Sequence, residues 1–230
     1  MFTTPTRRSL LRGGAASMLA LPFASLSGRR ASALARIDPI APPYGPVSPV
    51  KDQITGLPLL QLPAGFSYQT FGWSGDTMSD GRPNPTNHDG MAVVRSRIVG
   101  GKPEMTLIRN HEVTVNPLYG RIEAPAIYNT TTTNIGEDDD DNEIIGMAGG
   151  GNTKLVFTDG KFTANEPVLG GTRNNCAGGP TPWRTWLSCE KDKSDFTEVG
   201  GMPHGYVFDA SPDTGMTSGK PIKEMGRGDF

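Results

Sequence analysis

The sequence predicts an all-β fold, and three observations carry that prediction. The chain holds 30 glycines and 20 prolines among 230 residues, a content that argues against a helical bundle because neither residue sits well inside a helix. Apolar residues fall in short runs split by turn signals, the pattern of strands. No segment sustains the apolar periodicity of an amphipathic helix.

Taken in order, the runs are Phe66–Phe71, Met91–Val94, Met105–Ile108, Lys154–Phe157, Trp183–Leu187 and Tyr206–Phe208. Gly100-Gly101-Lys102-Pro103 and Thr158-Asp159-Gly160-Lys161 separate strands as tight hairpin turns do. Strands at such intervals suit a sandwich, a barrel or a propeller. Residues 36–64 read as an irregular, Pro-rich leader and 65–230 as the folded domain. Trp183 and Trp186 are expected in the core.

Residues 1–35 read as an export signal and are set apart from the fold. Arg7-Arg8 stands at the head of a mildly apolar stretch, Ala15 to Leu26, and Ala31-Ser32-Ala33 and Ala33-Leu34-Ala35 offer cleavage sites. This is a twin-arginine pattern. It implies delivery to the periplasm or outside the cell, with the twin-arginine export machinery as a partner. The signal holds five arginines and no acid, so the remainder carries a formal charge of −7 rather than −2. A domain of that sign is a poor nucleic-acid binder. No apolar run is long enough for a membrane span, and two cysteines with three histidines exclude disulfide-rich and zinc-finger scaffolds.

Abundant carboxylates suit hard cations such as calcium. Three clusters join carboxylates to amide or softer donors: Asn87-His88-Asp89-Gly90, Arg109-Asn110-His111-Glu112, and the stretch from Gly170 to Glu190 that contains Cys176 and Cys189. Oxygen donors at strand ends can converge on a cation, and a thiolate beside them suits a softer or redox-active metal such as iron. Each cluster also has a plainer reading as turn closure or core. The acidic run Glu137 to Asp141 reads as a solvated loop, with calcium binding as the sharper alternative. Whether Cys176 and Cys189 pair stays open.

Several of these motifs together resemble the PhoX-type alkaline phosphatases, a family of exported bacterial enzymes. The resemblance rests on Arg7-Arg8, His88-Asp89-Gly90-Met91-Ala92, Arg109-Asn110-His111-Glu112, the run Asn175-Cys176-Ala177-Gly178-Gly179 through Thr185-Trp186-Leu187-Ser188-Cys189-Glu190, and His204-Gly205-Tyr206-Val207-Phe208. It implies a β-propeller around mixed Fe(III) and Ca2+, hydrolysing phosphate monoesters and releasing inorganic phosphate. By motif position it implies Asp89, Glu112, Cys176 and Glu190 as metal ligands, with Asn110 and His111 secondary. It also implies that this chain supplies the N-terminal blades of a six-bladed ring that is incomplete at the C-terminus, since about 40–45 residues make a blade. The alternative is an exported calcium-binding β-domain without catalysis. Two departures from the family pattern stand out: Lys191 follows Glu190 where a second acid is usual, and Arg184 follows Pro182-Trp183 where glycine is usual.

Overall fold

The computed structural model describes residues 41–114, 121–137, 143–213 and 215–229. The chain divides into two units, one ending at Tyr68 and one beginning at Gln69. The export signal and Asp138–Asp141 lie outside the described residues.

In the first unit, β1 (Val47–Val50) pairs antiparallel with β2 (Leu60–Pro63). The stretch read as irregular therefore carries a strand pair. Asp52 closes the connection, its Oδ2 accepting from Thr55 N at 2.9 Å and Thr55 Oγ1 at 2.6 Å. The Tyr68 hydroxyl accepts from Leu59 N and donates to Val50 O. Phe66–Phe71, predicted as a strand, is not one. Its aromatic alternation resembles a strand's, but Phe66 N turns back to Pro63 O and Tyr68 O receives Gln53 N, so no continuous ladder forms.

The second unit is built from β3 (His88–Val99), β4 (Lys102–His111), β5 (Ala126–Ile127), β6 (Thr132–Glu137), β7 (Glu143–Met147), β8 (Gly150–Thr158), β9 (Lys161–Thr172), β10 (Asn175–Pro180), β11 (Trp186–Glu190) and β12 (Val207–Ala210). Two short 3-10 turns, Thr197–Val199 and Lys223–Met225, are the helical content among the described residues. The all-β prediction is met. A five-stranded sheet runs in the order β3-β4-β8-β9-β5, a three-stranded one β10-β11-β12, and β6 pairs with β7. The sheets are open, and no closed ring of blades forms among the described residues.

Both predicted hairpins are present. Gly100 and Gly101 join β3 to β4 at φ 58° and 80°, and Asp159-Gly160 joins β8 to β9 at φ 54° and 80°. Two successive positive φ values match the twist of the strands they join and favour glycine, asparagine or aspartate.

The core lies between the two larger sheets. Val94, Ile108, Val168, Trp186 and Ala210 form one buried cluster, and Ala126, Leu169 and Phe208 another. Trp186 belongs there as predicted, but Trp183 does not: it is 62% exposed. Its position in the turn between β10 and β11 lifts the ring off the core, and its indole N–H donates to Asp209 Oδ2 at 3.0 Å. In the same turn Thr181 Oγ1 accepts from Thr185 N, and Arg184 adopts φ 71°. A left-handed conformation costs a side-chain-bearing residue about 1–2 kcal/mol. Arg184→Gly is therefore expected to raise stability by about 1 kcal/mol, less the added entropy of the unfolded glycine. Urea denaturation checks it, and an unchanged or lower midpoint contradicts it.

Candidate functional site

The end of β4 is buried on both faces, although it reads Arg109-Asn110-His111. Polar side chains there depend on internal hydrogen bonds, and most have them, though Arg109 Nε and the neighbouring Asn152 Oδ1 are buried with no hydrogen-bond partner among the described residues. Asn110 is the hub. Its Nδ2 donates to Cys176 O at 3.0 Å and Ala177 O at 2.9 Å. Its Oδ1 accepts from Asn152 Nδ2 at 2.6 Å, Trp186 Nε1 at 2.9 Å and Ser188 Oγ at 2.9 Å. Asn175 Nδ2 also donates to Ser188 Oγ, and Thr172 Oγ1 to Asn175 Oδ1. The amide thus ties β4 to β8, β10 and β11. β10 can approach β3 because residue 90 is glycine: a Cβ there would lie 2.5 Å from Cys176 O.

This clamp sets which chain ends meet. Asp89 lies in β3, and Glu112 directly follows β4, where Asn87 Nδ2 donates to Glu112 O. Lys191 directly follows β11, its N–H bonded to Asn174 O. Lys191 Nζ lies 3.0 Å from Glu112 Oε1. Burial raises the Asp89 pKa, and the hydrogen bond and negative charge of Glu112 push it the same way; the Gly90 N–H and the Lys191 ammonium pull it down. Lys191 is itself raised, first by its hydrogen bond to Glu112 and then by the charges of Glu112, Cys176 and Asp89. Two carboxyls, a thiol and an ammonium share one neighbourhood. Cys189 is close enough to Cys176 to feel its charge, although burial is the larger cause of its raised pKa. Both cysteines are thiols, with no disulfide between them.

The other residues singled out in the sequence lead elsewhere. Glu190 is fully buried. Its Oε1 accepts from Arg173 N at 2.8 Å and His204 Nδ1 at 2.7 Å, and its Oε2 from Gly205 N at 2.7 Å and Tyr206 N at 3.0 Å. Strand alternation turns it away from the side that Cys189 and Lys191 share. His111 is also fully buried. Its Nδ1 faces Thr86 O and its Nε2 faces Thr153 Oγ1, both at 2.9 Å. A carbonyl only accepts, so Nδ1 carries the proton and Nε2 receives the Thr153 hydroxyl. Burial, then the Arg109 charge, hold its pKa well below the usual range. Burial likewise lowers Arg109 to about 10.

Beyond Lys191 the chain is pinned again. Arg173 Nε and Nη2 both reach Asp192 Oδ2 at 2.8 Å, and the guanidinium stacks on Phe196 at 4.8 Å. Burial alone would raise the Asp192 pKa, but hydrogen bonds from the Ser194 hydroxyl and N–H, together with Arg173, outweigh it and lower it. A depressed carboxyl stabilises the fold above its unfolded pKa of about 3.9 and loses that contribution as pH falls through the folded value. Asp192→Asn is expected to cost roughly 1–2 kcal/mol at pH 7. It should also flatten the fall in urea midpoint below about pH 4. An acid limb of unchanged steepness contradicts this.

Fe(III) and Ca2+ ask different things of this donor set. Asp89 and Glu112 have the chemistry a hard cation takes, and Cys176 that of a softer one. Yet among the described residues no three His, Cys, Asp or Glu side chains surround one point in a way that could hold a metal ion. The Lys191 ammonium bonds Glu112 Oε1, and Glu190, Asn110 and His111 are engaged with protein partners. As arranged, these residues do not fit a mixed metal cluster.

Sequence reading singled out Asn110 but missed the polar groups that complete its network. Asn152, which bonds Asn110, and Thr153, which bonds Arg109 and His111, lie in β8 without a motif of their own, and only the cross-strand register, with Asn152 opposite Asn110 and Thr153 opposite Arg109, makes them neighbours. No helix among the described residues is long and apolar enough to cross a membrane.

Comparison with known proteins bears on the same motifs. Neither the curated proteins nor the solved structures contained a match. The sequence profile described as Alkaline phosphatase PhoX matches residues 43–167 and 137–229, two overlapping segments that include every strand of both units. On that coverage, with the Asp89, Asn110–Glu112 and Cys176–Glu190 motifs inside it, the chain belongs to the PhoX alkaline phosphatase family.

Proposed function

We propose that this protein is a metal-dependent phosphatase that acts on phosphate monoesters and releases inorganic phosphate. The observation that carries this reading is the placing of Asp89, Glu112 and Cys176 at neighbouring strand ends, where the residue after Asp89 packs against Cys176 O and Lys191 Nζ bonds Glu112 Oε1 at 3.0 Å, in a chain of this family. Fe(III) and Ca2+ are the ions proposed; Asp89, Glu112 and Cys176 would contact them only after the Lys191 ammonium leaves Glu112 and the three side chains rearrange. Asn110 acts on this site as a positioning residue, because its bonds to Cys176 O and Ala177 O fix where β10 lies. Glu190 acts in the same way, by fixing the end of β11 from which Lys191 projects.

The antiparallel strands β3, β4, β8 and β9, packed against β10–β12, are proposed as neighbouring blades of a propeller. Export by the twin-arginine route to the periplasm or beyond is proposed from residues 1–35.

Release of p-nitrophenol from p-nitrophenyl phosphate, in the presence of calcium and iron, tests the enzymatic reading. Turnover is expected, and Glu112→Gln should lower kcat/KM by about 100-fold, at the upper end of the effect of losing a residue that supports a metal site. No turnover under any metal condition contradicts the reading. A second reading, a non-catalytic calcium-binding β-domain, is favoured by Lys191 beside the carboxyl pair. Calcium binding without turnover would select it.

A further inference from the structure

Part of the disagreement between the donor set and a metal cluster has a visible local cause, the side chain at position 191. Lys191 is held in place from both sides. Glu190 before it is fixed by four N–H donors, and Asp192 after it by the Arg173 guanidinium. The Lys191 N–H is itself bonded to Asn174 O. With its neighbours locked, the lysine projects from the β11 end toward Glu112, and Nζ reaches Oε1 at 3.0 Å.

We infer that the Lys191 ammonium stands where a metal cation would bind the Asp89–Glu112–Cys176 cluster, acting as a tethered monovalent counter-ion that a divalent ion must displace. The inference rests on the metal-site reading above and specifies which residue opposes the metal. An ammonium satisfies the pair with one charge and three N–H donors. Calcium instead needs several oxygen ligands at about 2.3–2.6 Å. Both cannot occupy the space against Glu112 Oε1 together. The lysine side chain is 57% exposed, so it can swing into solvent and its removal leaves no buried hole.

Calorimetric titration of Ca2+ into the intact chain tests the inference. The wild type is expected to bind weakly, and Lys191→Met at least about tenfold more tightly, since a unit positive charge a few ångströms from a divalent ion is unfavourable even in water. Lys191→Glu should bind more tightly than Lys191→Met by adding a carboxylate. Lys191→Arg retains the charge and should stay at the wild-type level. Adding Glu112→Gln to Lys191→Met should abolish the gain. A circular dichroism spectrum unchanged from wild type shows that each variant has folded. Equal affinity in wild type and Lys191→Met overturns the role of Lys191 while leaving the metal-site reading standing. Absence of calcium binding in every variant at millimolar concentration overturns both.

Discussion

Replacing Glu190 with glutamine is expected to destabilise the second unit by about 3–5 kcal/mol, the usual scale for breaking a buried, hydrogen-bonded charged group. The carboxylate is fully buried and its two oxygens receive four N–H donors. A glutamine keeps one oxygen and turns an NH2 toward the other two donors. If it faces Gly205 and Tyr206, two backbone N–H groups lose their acceptor; if it faces Arg173 and His204, a backbone N–H and an imidazole do. Asn129 Nδ2 meets His204 Nε2 at 3.2 Å while Asn129 Oδ1 accepts from Thr131 N, so the imidazole proton sits on Nδ1 and points at Glu190. Glu190→Ala removes all four bonds and should cost at least as much. The loss should appear as a lower urea midpoint, and millimolar calcium should not restore it. Restoration by calcium would show that Glu190 is a cation ligand rather than the anchor of the β11–β12 connection.

Asn110→Asp is expected to cost about 3 kcal/mol or more, despite being nearly isosteric. The aspartate keeps Oδ1 for Asn152, Trp186 and Ser188. Its second oxygen, however, replaces an NH2 that donates to the Cys176 and Ala177 carbonyls, setting a buried charge against two acceptors. Asn110→Leu, which removes the polar groups altogether, should cost about 2–4 kcal/mol through the donors it strands. The order is diagnostic. An asparagine that coordinated a cation through Oδ1 would tolerate aspartate and gain affinity, whereas a hub between two sheets does not. Because the clamp positions Cys176, both variants should also weaken calcium binding by Lys191→Met protein. Wild-type stability in Asn110→Asp contradicts the hub.

How much of this was legible in the sequence depends on the kind of signal each residue gives. Gly100-Gly101 and Asp159-Gly160 are local signals: positive φ at consecutive positions is favoured by few residues, so both hairpins could be read directly. The apolar runs at Met91, Met105 and Lys154 were read too short, because β3, β4 and β8 continue into polar residues that only a cross-strand partner can satisfy. β9 is legible only as the strand that must follow the Asp159-Gly160 turn, and β10 not at all; Gly170, Gly171, Gly178 and Gly179 carry no side-chain pattern, yet a Cβ at Gly178 would lie 2.2 Å from Leu187 O. Trp183 misled because size alone suggests burial, whereas a turn one residue before a left-handed Arg184 leaves the ring outside.

The site divides along the same line. Asp89 and Glu112 were legible because a carboxylate at a strand end is visible in sequence, and Lys191 because it breaks a family pattern. The role of Glu190 was not legible. Its donors are three backbone N–H groups and His204, and backbone leaves no mark in a sequence. His111 likewise looks like a ligand until Thr86 O and Thr153 Oγ1 are seen on its two nitrogens.

The most direct test of the cluster as the chemical centre is a crystal of Lys191→Glu protein soaked with terbium, a hard trivalent stand-in for calcium, with its position read from anomalous scattering. One strong peak bonded to the Asp89 and Glu112 carboxylates is the expected result. A peak on the Asp138–Asp141 run instead, with none between residues 89 and 112, would contradict it.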